Sequence, residues 1–141
     1  MIQRIQTVWL LLAALVMVLT FKFSVYGGYF QDGTARELLV GENYLLMIVA
    51  AVLVLLPILA IISFKNRGNQ KKLIWLTILL QLVFIVLVWM EATSFSDKSQ
   101  FIRETYKPGA IVPIAAIILL ALAYRGIRHD EKLIKSAERL R

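Results

Sequence analysis

Four long apolar stretches divide the chain, at about residues 5–23, 44–64, 73–90 and 110–124. A membrane core of about 30 Å is crossed by about twenty helical residues at 1.5 Å each. The second stretch has 21 residues, the third has 18, and the fourth, with 15, needs a helix that continues at one of its ends. The pattern predicts an all-α fold, an integral membrane bundle of four transmembrane helices.

The composition excludes an ordinary soluble domain. Sixty per cent of the 141 residues are apolar, whereas about 45–50% is typical of soluble domains. The mean hydropathy is +0.74. A water-soluble fold would have to bury all four stretches with too few polar residues to cover them. The length suits a single domain, residues 1–141, embedded in a membrane.

The charged residues between the stretches predict the orientation of the helices. Residues 1–4, 65–72 and 125–141 together hold 11 of the 16 Lys and Arg residues and three of the nine acidic residues. The rest of the chain holds five basic and six acidic residues. Because basic residues accumulate in cytoplasmic loops, both termini are predicted to lie in the cytoplasm.

The formal net charge of +7 could suggest a nucleic-acid partner, but the placement of the basic residues favours lipid. Basic residues next to membrane helices attract anionic headgroups by about 1 kcal/mol each. We therefore expect the bilayer, with anionic headgroups at the cytoplasmic face, to be the partner of this charge. The chain has no cysteine and a single histidine, His129. With no nucleotide-binding loop or hydrolase motif either, we expect no metal, no cofactor and no enzymatic activity.

The connections between the stretches differ in length. Residues 65–72 contain the turn formers Asn66, Gly68 and Asn69, which predict an antiparallel hairpin of the second and third helices. The other two connections are each close to twenty residues long. Within them, residues 34–40 and 99–106 are predicted to form short helices on the membrane surface.

A possible internal repeat links the two halves. Trp-Leu occurs at residues 9–10 and 75–76, and Arg-Glu occurs at 36–37 and 103–104. Two helix–loop–helix units of the same orientation would form a parallel repeat. The prolines of the second and fourth stretches do not correspond, so chance coincidence is the favoured interpretation.

Five residues in the stretches are candidates for helix packing or partner contacts. Pro57 lies within the second helix, where it predicts a kink rather than a functional hinge. Gln81 is the strongly polar residue near the middle of the third, and its amide is expected to hold helices or subunits together. Gly109, Ala116 and Ala123 recur every seven residues and form a narrow stripe on which another helix could pack.

The basic tail, residues 125–141, is predicted to be helical because only Gly126 interrupts it. It either projects into the cytoplasm or turns at Gly126 to lie along the bilayer. The simpler interpretation of the tail is an anchor on headgroups, and the more specific one is a docking site for a cytoplasmic partner. The candidate contacts are its basic side chains, Arg125, Arg128, Lys132, Lys135 and Arg139.

Both ends of the chain resemble a known family. Residues 1–13, MIQRIQTVWLLLA, and residues 130–141, DEKLIKSAERLR, are similar to an inner-membrane family of Bacteroidota that is catalogued as a domain of unknown function. The resemblance implies a small four-helix protein in the bacterial inner membrane. It implies no catalytic residues.

Three functions remain open. The leading hypothesis is a non-enzymatic structural or accessory component of a membrane complex, which assembles with itself or with a protein partner. The second is an oligomeric transporter or channel for ions or small solutes, with Gln81 in its path. The third is a membrane enzyme that acts on lipid headgroups through outer-loop residues such as Glu91, Asp97, Arg103 and Glu104.

Overall fold

Helices dominate the fold, and the computed structural model describes residues 3–30, 33–99 and 103–139. The described chain contains four long helices, which are α1 (Gln3–Leu19), α2 (Tyr44–Ile62), α3 (Arg67–Ser99) and α4 (Val112–Arg139). Helix α1 packs against α2 and α4, and α3 packs against the same two helices, so the four close into a ring.

Apolar side chains fill the space between the helices in two adjoining clusters. The first lies toward the connections α1–α2 and α3–α4, which we call the sheet end, and includes Met17, Leu53, Phe84 and Ala116. The second lies toward the two chain ends, which we call the terminal end, and includes Leu10, Ala60, Ile74, Leu120, Ala123 and Ile127. The ring is therefore packed along its length rather than hollow.

Three of the helical segments are long and apolar enough to cross a membrane: Tyr44–Lys65, Arg67–Asp97 and Pro108–Ile134. The apolar part of α1, Ile5–Leu19, is shorter. Apolar side chains also cover the outside of the ring, as at Val8, Leu55, Leu79 and Ile118. A helix that is apolar on every face suits a lipid surrounding better than water.

Asparagine side chains begin the two central helices. The Oδ1 atom of Asn43 accepts hydrogen bonds from the backbone N–H groups of Leu45 and Leu46, at 2.9 and 3.4 Å. The Oδ1 atom of Asn66 accepts one from Asn69 at 3.2 Å. Such caps satisfy donors that the first helical turn leaves free. The predicted hairpin is present and tighter than expected, since α3 already begins at Arg67.

Helices α3 and α4 both extend beyond their apolar stretches. Helix α3 has 33 residues, which corresponds to about 50 Å at 1.5 Å per residue, so it projects past the third stretch at both ends. Helix α4 continues without interruption through Gly126 to Arg139. As far as Arg139 the tail is thus an uninterrupted continuation of the fourth helix, and the alternative of a turn at Gly126 is wrong.

A three-stranded sheet replaces the two surface helices that the sequence predicted. Its strands are β1 (Tyr26–Tyr29), β2 (Ala35–Leu38) and β3 (Arg103–Tyr106), in the order β2-β1-β3. The prediction of helices at 34–40 and 99–106 is wrong because each segment completes a sheet with β1. Pairing with a strand in another connection is a tertiary interaction that no local pattern reveals.

Both outer strands run antiparallel to β1. Tyr26 lies opposite Leu38 on one side and Tyr106 on the other. The β3 pairing continues toward α4, where Lys107 and Gly109 donate backbone hydrogen bonds to the carbonyl oxygens of Val25 and Ser24, both at 3.0 Å. These bonds attach the start of α4 to the chain that leaves α1.

Substitution of Gly109 by alanine should loosen this attachment. A Cβ atom at Gly109 would lie 2.5 Å from the Ser24 carbonyl oxygen and 2.7 Å from that of Phe23, so backbone must shift. We expect Gly109→Ala to lower the free energy of unfolding by about 1–3 kcal/mol, measured by denaturant unfolding in detergent micelles. The matched control is Gly41→Ala, where a Cβ atom meets nothing within 4 Å. Equal stability of the two variants would contradict the prediction.

Candidate functional site

The sheet lies beside the part of α3 that projects past the apolar stretch. Tyr26 and Leu38 form one apolar cluster with Ala92, and Phe95 packs against it. The guanidinium of Arg36 lies over the Phe95 ring, 5.4 Å from its centroid. Tyr26 and Leu38 contact Ala92, and Arg36 contacts Phe95 about one turn further along α3. The strands and this end of α3 therefore run side by side.

Glu104 connects β3 to α3 on this inner face. Its carboxylate accepts hydrogen bonds from the hydroxyl of Tyr26, at 2.6 Å, and from that of Ser96. The Ser96 bond, followed by the Tyr26 bond, lowers the pKa of Glu104 because both stabilise the charged form. Burial, followed by the bond to Glu104, raises the pKa of Tyr26. The ring of Tyr106 contacts Tyr26 edge to face, with centroids 5.0 Å apart.

The opposite, open face of the sheet carries an ion pair that crosses β1. Glu37 of β2 and Lys107, just after β3, approach to 3.1 Å. Gly27 lies beneath them, and a Cβ atom there would be 2.8 Å from the Arg36 carbonyl oxygen and 3.2 Å from Glu37 Cγ. Hydrogen bonds from Ser24 and then from Lys107 lower the pKa of Glu37. A glycine is thus needed where the side chains bridge the sheet.

Beside this ion pair lies an open hollow of about 560 Å³. It combines two cationic side chains, a hydroxyl and two aromatic rings over a floor of β1 backbone. Its lining residues are Gly27, Tyr29, Phe30, Arg103, Thr105 and Lys107.

At the terminal end, two adjacent acidic residues attach α4 to its neighbours. The side-chain amide of Gln6 in α1 donates a hydrogen bond to Oδ2 of Asp130, and both side chains are buried. Gly126, one turn earlier, makes room for Gln6, whose Cγ would lie 3.1 Å from a Cβ atom there. Glu131 forms an ion pair with Lys71 of α3 at 2.8 Å. The tail is therefore packed against α1 and α3 as far as residue 131.

The basic side chains predicted for the tail form a second hollow along α4. It measures about 570 Å³ and is lined by Arg125, Gly126, Arg128, His129 and Lys132. Their spacing of three and four residues puts them on one side of the helix. Lys135 and Arg139 belong to the same helix, and their side chains lie outside the described part.

The residues predicted for helix packing all lie inside the ring or at its rim. Gln81 is 0% exposed, and its side-chain amide contacts the Met17 sulfur at 3.2 Å. Pro57 is buried within an unbroken α2. Ala116 and Ala123 are 0% exposed in the two apolar clusters. Gly109 packs on backbone at the sheet end. These residues contact other helices or connections of the same chain.

The described residues contain no group of three or more His, Asp or Glu side chains that could hold a metal ion. Two acidic side chains of the sheet are held singly, Glu37 by Lys107 and Glu104 by two hydroxyls. Of the residues of the enzyme hypothesis, Arg103 and Glu104 point to opposite faces of β3, whereas Glu91 lines a hollow with Arg36 and Glu42.

The pairing of Gln6 with Asp130 was missed in the sequence, although a signal exists. Ala116, Leu120, Ala123 and Ile127 are buried at spacings of three and four residues, and Asp130 continues that series. A polar residue in a buried helical series needs a partner. Gln6, in the first turns of α1, is the partner that the fold supplies.

The fold and its surfaces define a small protein of apolar helices, three of them able to cross a membrane, that carries a polar sheet at one end. The chain belongs to the family described as Domain of unknown function (DUF4293), which matches residues 2–140. The resemblance seen at the two termini is thereby confirmed for the family. No curated protein and no solved structure matches the chain.

Glu104 should make the stability of the sheet end depend on pH. Its pKa is lowered in the folded protein from an ordinary value of 4.5. Its hydrogen bonds therefore add stability above that value, which is lost as the pH falls through the folded pKa. We expect Glu104→Gln to flatten the decrease in melting temperature from about pH 6 to about pH 3, measured by thermal unfolding in micelles. The control is Glu42→Gln at an exposed site, and an equal effect there would contradict the assignment.

Proposed function

We propose that this chain is a multi-pass protein of the bacterial inner membrane that acts as a non-enzymatic structural or accessory component of a membrane complex. Its four helices form a four-span bundle with both termini in the cytoplasm. The observation that carries the proposal is the packed apolar interior, which leaves the polar surfaces at the two ends of the ring.

The buried polar side chains of the described interior support packing rather than transport. Between the two ends the buried polar side chains are Thr20, Thr77 and Gln81, and none is charged. The Thr77 hydroxyl donates to the backbone oxygen of Leu73 at 2.7 Å, which satisfies it within its own helix. Transport and proton relay usually require ionisable groups at this depth. Packing is the role that these side chains support.

The charges at the two ends support the proposed orientation. Basic residues concentrate at the terminal end, where Lys71, Arg125, Arg128 and Lys132 surround the helix ends. Trp75 and Tyr124 contact each other near that end, with ring centroids 6.0 Å apart, as in an aromatic belt at a membrane interface. Anionic headgroups of the cytoplasmic leaflet are the partner that this basic end would bind.

The sheet supports an accessory role because it is a polar surface outside the apolar core. Its four β3 residues are exposed, and β2 and β3 each leave an outer edge. Unpaired strand edges of this kind can associate with a strand of another protein.

Reporter fusions test the orientation. A phosphatase that is active only outside the cytoplasm should be active when fused after residue 42 and inactive after residues 72 and 141. A reporter that is active only inside the cytoplasm serves as the control and should give the opposite pattern. Phosphatase activity after residue 72 or 141 would contradict the topology.

Purification from native membranes tests the accessory role. A chain tagged at its N-terminus and extracted in mild detergent should retain a stoichiometric protein partner or a second copy, identified by mass spectrometry and light scattering. As a control, membranes that contain the tagged chain are mixed after lysis with isotope-labelled membranes that contain the untagged chain. A labelled partner in the purified sample would then reveal association that occurred during extraction. A monomer without a partner would contradict the proposal.

A transporter or channel is the second candidate because Gln81 Oε1 is buried at mid-depth with no hydrogen-bond partner in the described part of the chain. Solute flux through reconstituted vesicles that Gln81→Leu abolishes would favour this function over the first.

A further inference from the structure

On the open face of the sheet, two cationic side chains and one hydroxyl side chain lie in a row along β3. Side chains alternate along a strand, so Arg103, Thr105 and Lys107 point to the same side. Cα atoms of neighbours in this line are about 7 Å apart at 3.3 Å per residue. Thr105 is in the middle, so one anion above its hydroxyl is within reach of both longer side chains.

Arg103 is the cation of this face that has no acidic partner among the described residues. Glu104, its neighbour in the chain, faces α3 and accepts from Tyr26 and Ser96. Glu37 is on the open face but lies against Lys107, 3.1 Å away. The guanidinium of Arg103 can donate two parallel hydrogen bonds to a phosphate.

Aromatic side chains border this line of donors. Tyr29 lies directly opposite Arg103 in the sheet and is 51% exposed, and Phe30 completes the wall of the hollow. Exposed aromatic rings beside cations are typical of the membrane–water interface, where the rings contact the lipid and the polar groups stay hydrated.

The length of α3 beyond its apolar stretch indicates how far the hollow lies from the hydrocarbon core of the membrane. The third apolar stretch ends at Met90, and Ala92 and Ser96 lie about 3 and 9 Å beyond it at 1.5 Å per residue. The base of the sheet packs with Ala92 and Glu104 contacts Ser96. Thr105 thus stands several ångströms above the apolar core, within the headgroup layer of a bilayer about 40–45 Å thick in total.

We propose that the open face of the sheet binds the phosphate of an anionic phospholipid headgroup through Arg103, Thr105 and Lys107. The ligand belongs to the leaflet opposite the cytoplasm, and its acyl chains lie along the apolar outside of the ring. The assignment rests on the membrane orientation proposed above. Charge complementarity with Arg103 favours an anion, and the position at headgroup height favours a lipid over a dissolved anion.

A fluorophore at the site can report its occupancy. The chain contains no cysteine, so Ala35→Cys gives one labelling position, exposed and directly opposite Tyr29 on the open face. The labelled full-length protein in non-ionic micelles is titrated with short-chain phosphatidylglycerol, with short-chain phosphatidylcholine, and with inorganic phosphate. We expect a saturable response to phosphatidylglycerol at concentrations at least tenfold lower than for the other two.

Variants of arginine separate the site from general charge. Arg103→Gln should weaken phosphatidylglycerol binding at least tenfold, and Arg103→Lys should weaken it less, because lysine keeps the charge but not the two parallel hydrogen bonds. The matched control is Arg36→Gln, which removes the same charge from the inner face of the same sheet and should leave the titration unchanged. Thermal unfolding of each variant verifies that it is folded.

Three other results would overturn the assignment of a phospholipid site, each for a different reason. Equal affinity for phosphatidylcholine would remove the role of charge, and equal affinity for inorganic phosphate would indicate a site for a soluble anion. An unaffected Arg103→Gln, or an equal loss in Arg36→Gln, would reject the residues. These results would leave the reporter fusions and the partner purification unchanged, so failure of the lipid site is distinguishable from failure of the proposed function.

Discussion

The pairing of β1 with strands from two different connections is the interaction on which the sheet end depends. Strand β2 follows β1 in the α1–α2 connection, whereas β3 comes from the α3–α4 connection. The backbone bonds from Lys107 and Gly109 to the chain after α1 continue this pairing to the start of α4. Two helical hairpins are thereby joined by directional bonds at the end where their connections are longest, in addition to the apolar packing between them.

The helices are positioned by different kinds of polar contact at the two ends of the ring. At the sheet end, backbone hydrogen bonds position the helices, and glycines at 27 and 109 allow the close approach of neighbouring chains. At the terminal end, side chains do this, with Gln6 bound to Asp130 and Lys71 paired with Glu131. In both places a polar contact defines which helix faces which, because apolar packing alone is not directional.

The Arg-Glu dipeptides show how far the sequence could lead. Both lie in the outer strands of the sheet, but Gly28 of β1 is opposite Arg36 on one side and Glu104 on the other. The two dipeptides are therefore offset by one residue and present opposite side chains to α3. A one-residue shift reverses the faces of a strand, so the similarity does not extend to equivalent positions, and the open Arg103 could not be anticipated from Arg36.

The sequence by itself determined the helices, their apolar character, the tight α2–α3 hairpin and the family, because hydropathy and turn residues act locally along the chain. Burial of Gln81, Ala116 and Ala123 inside the ring, by contrast, is known only from the packing of the helices. Tertiary structure alone decided the sheet, the attachment of the tail through Asp130, and the grouping of Arg103, Thr105 and Lys107 on one open face. These features join residues from distant parts of the chain, and their register depends on backbone pairing that a single segment does not encode.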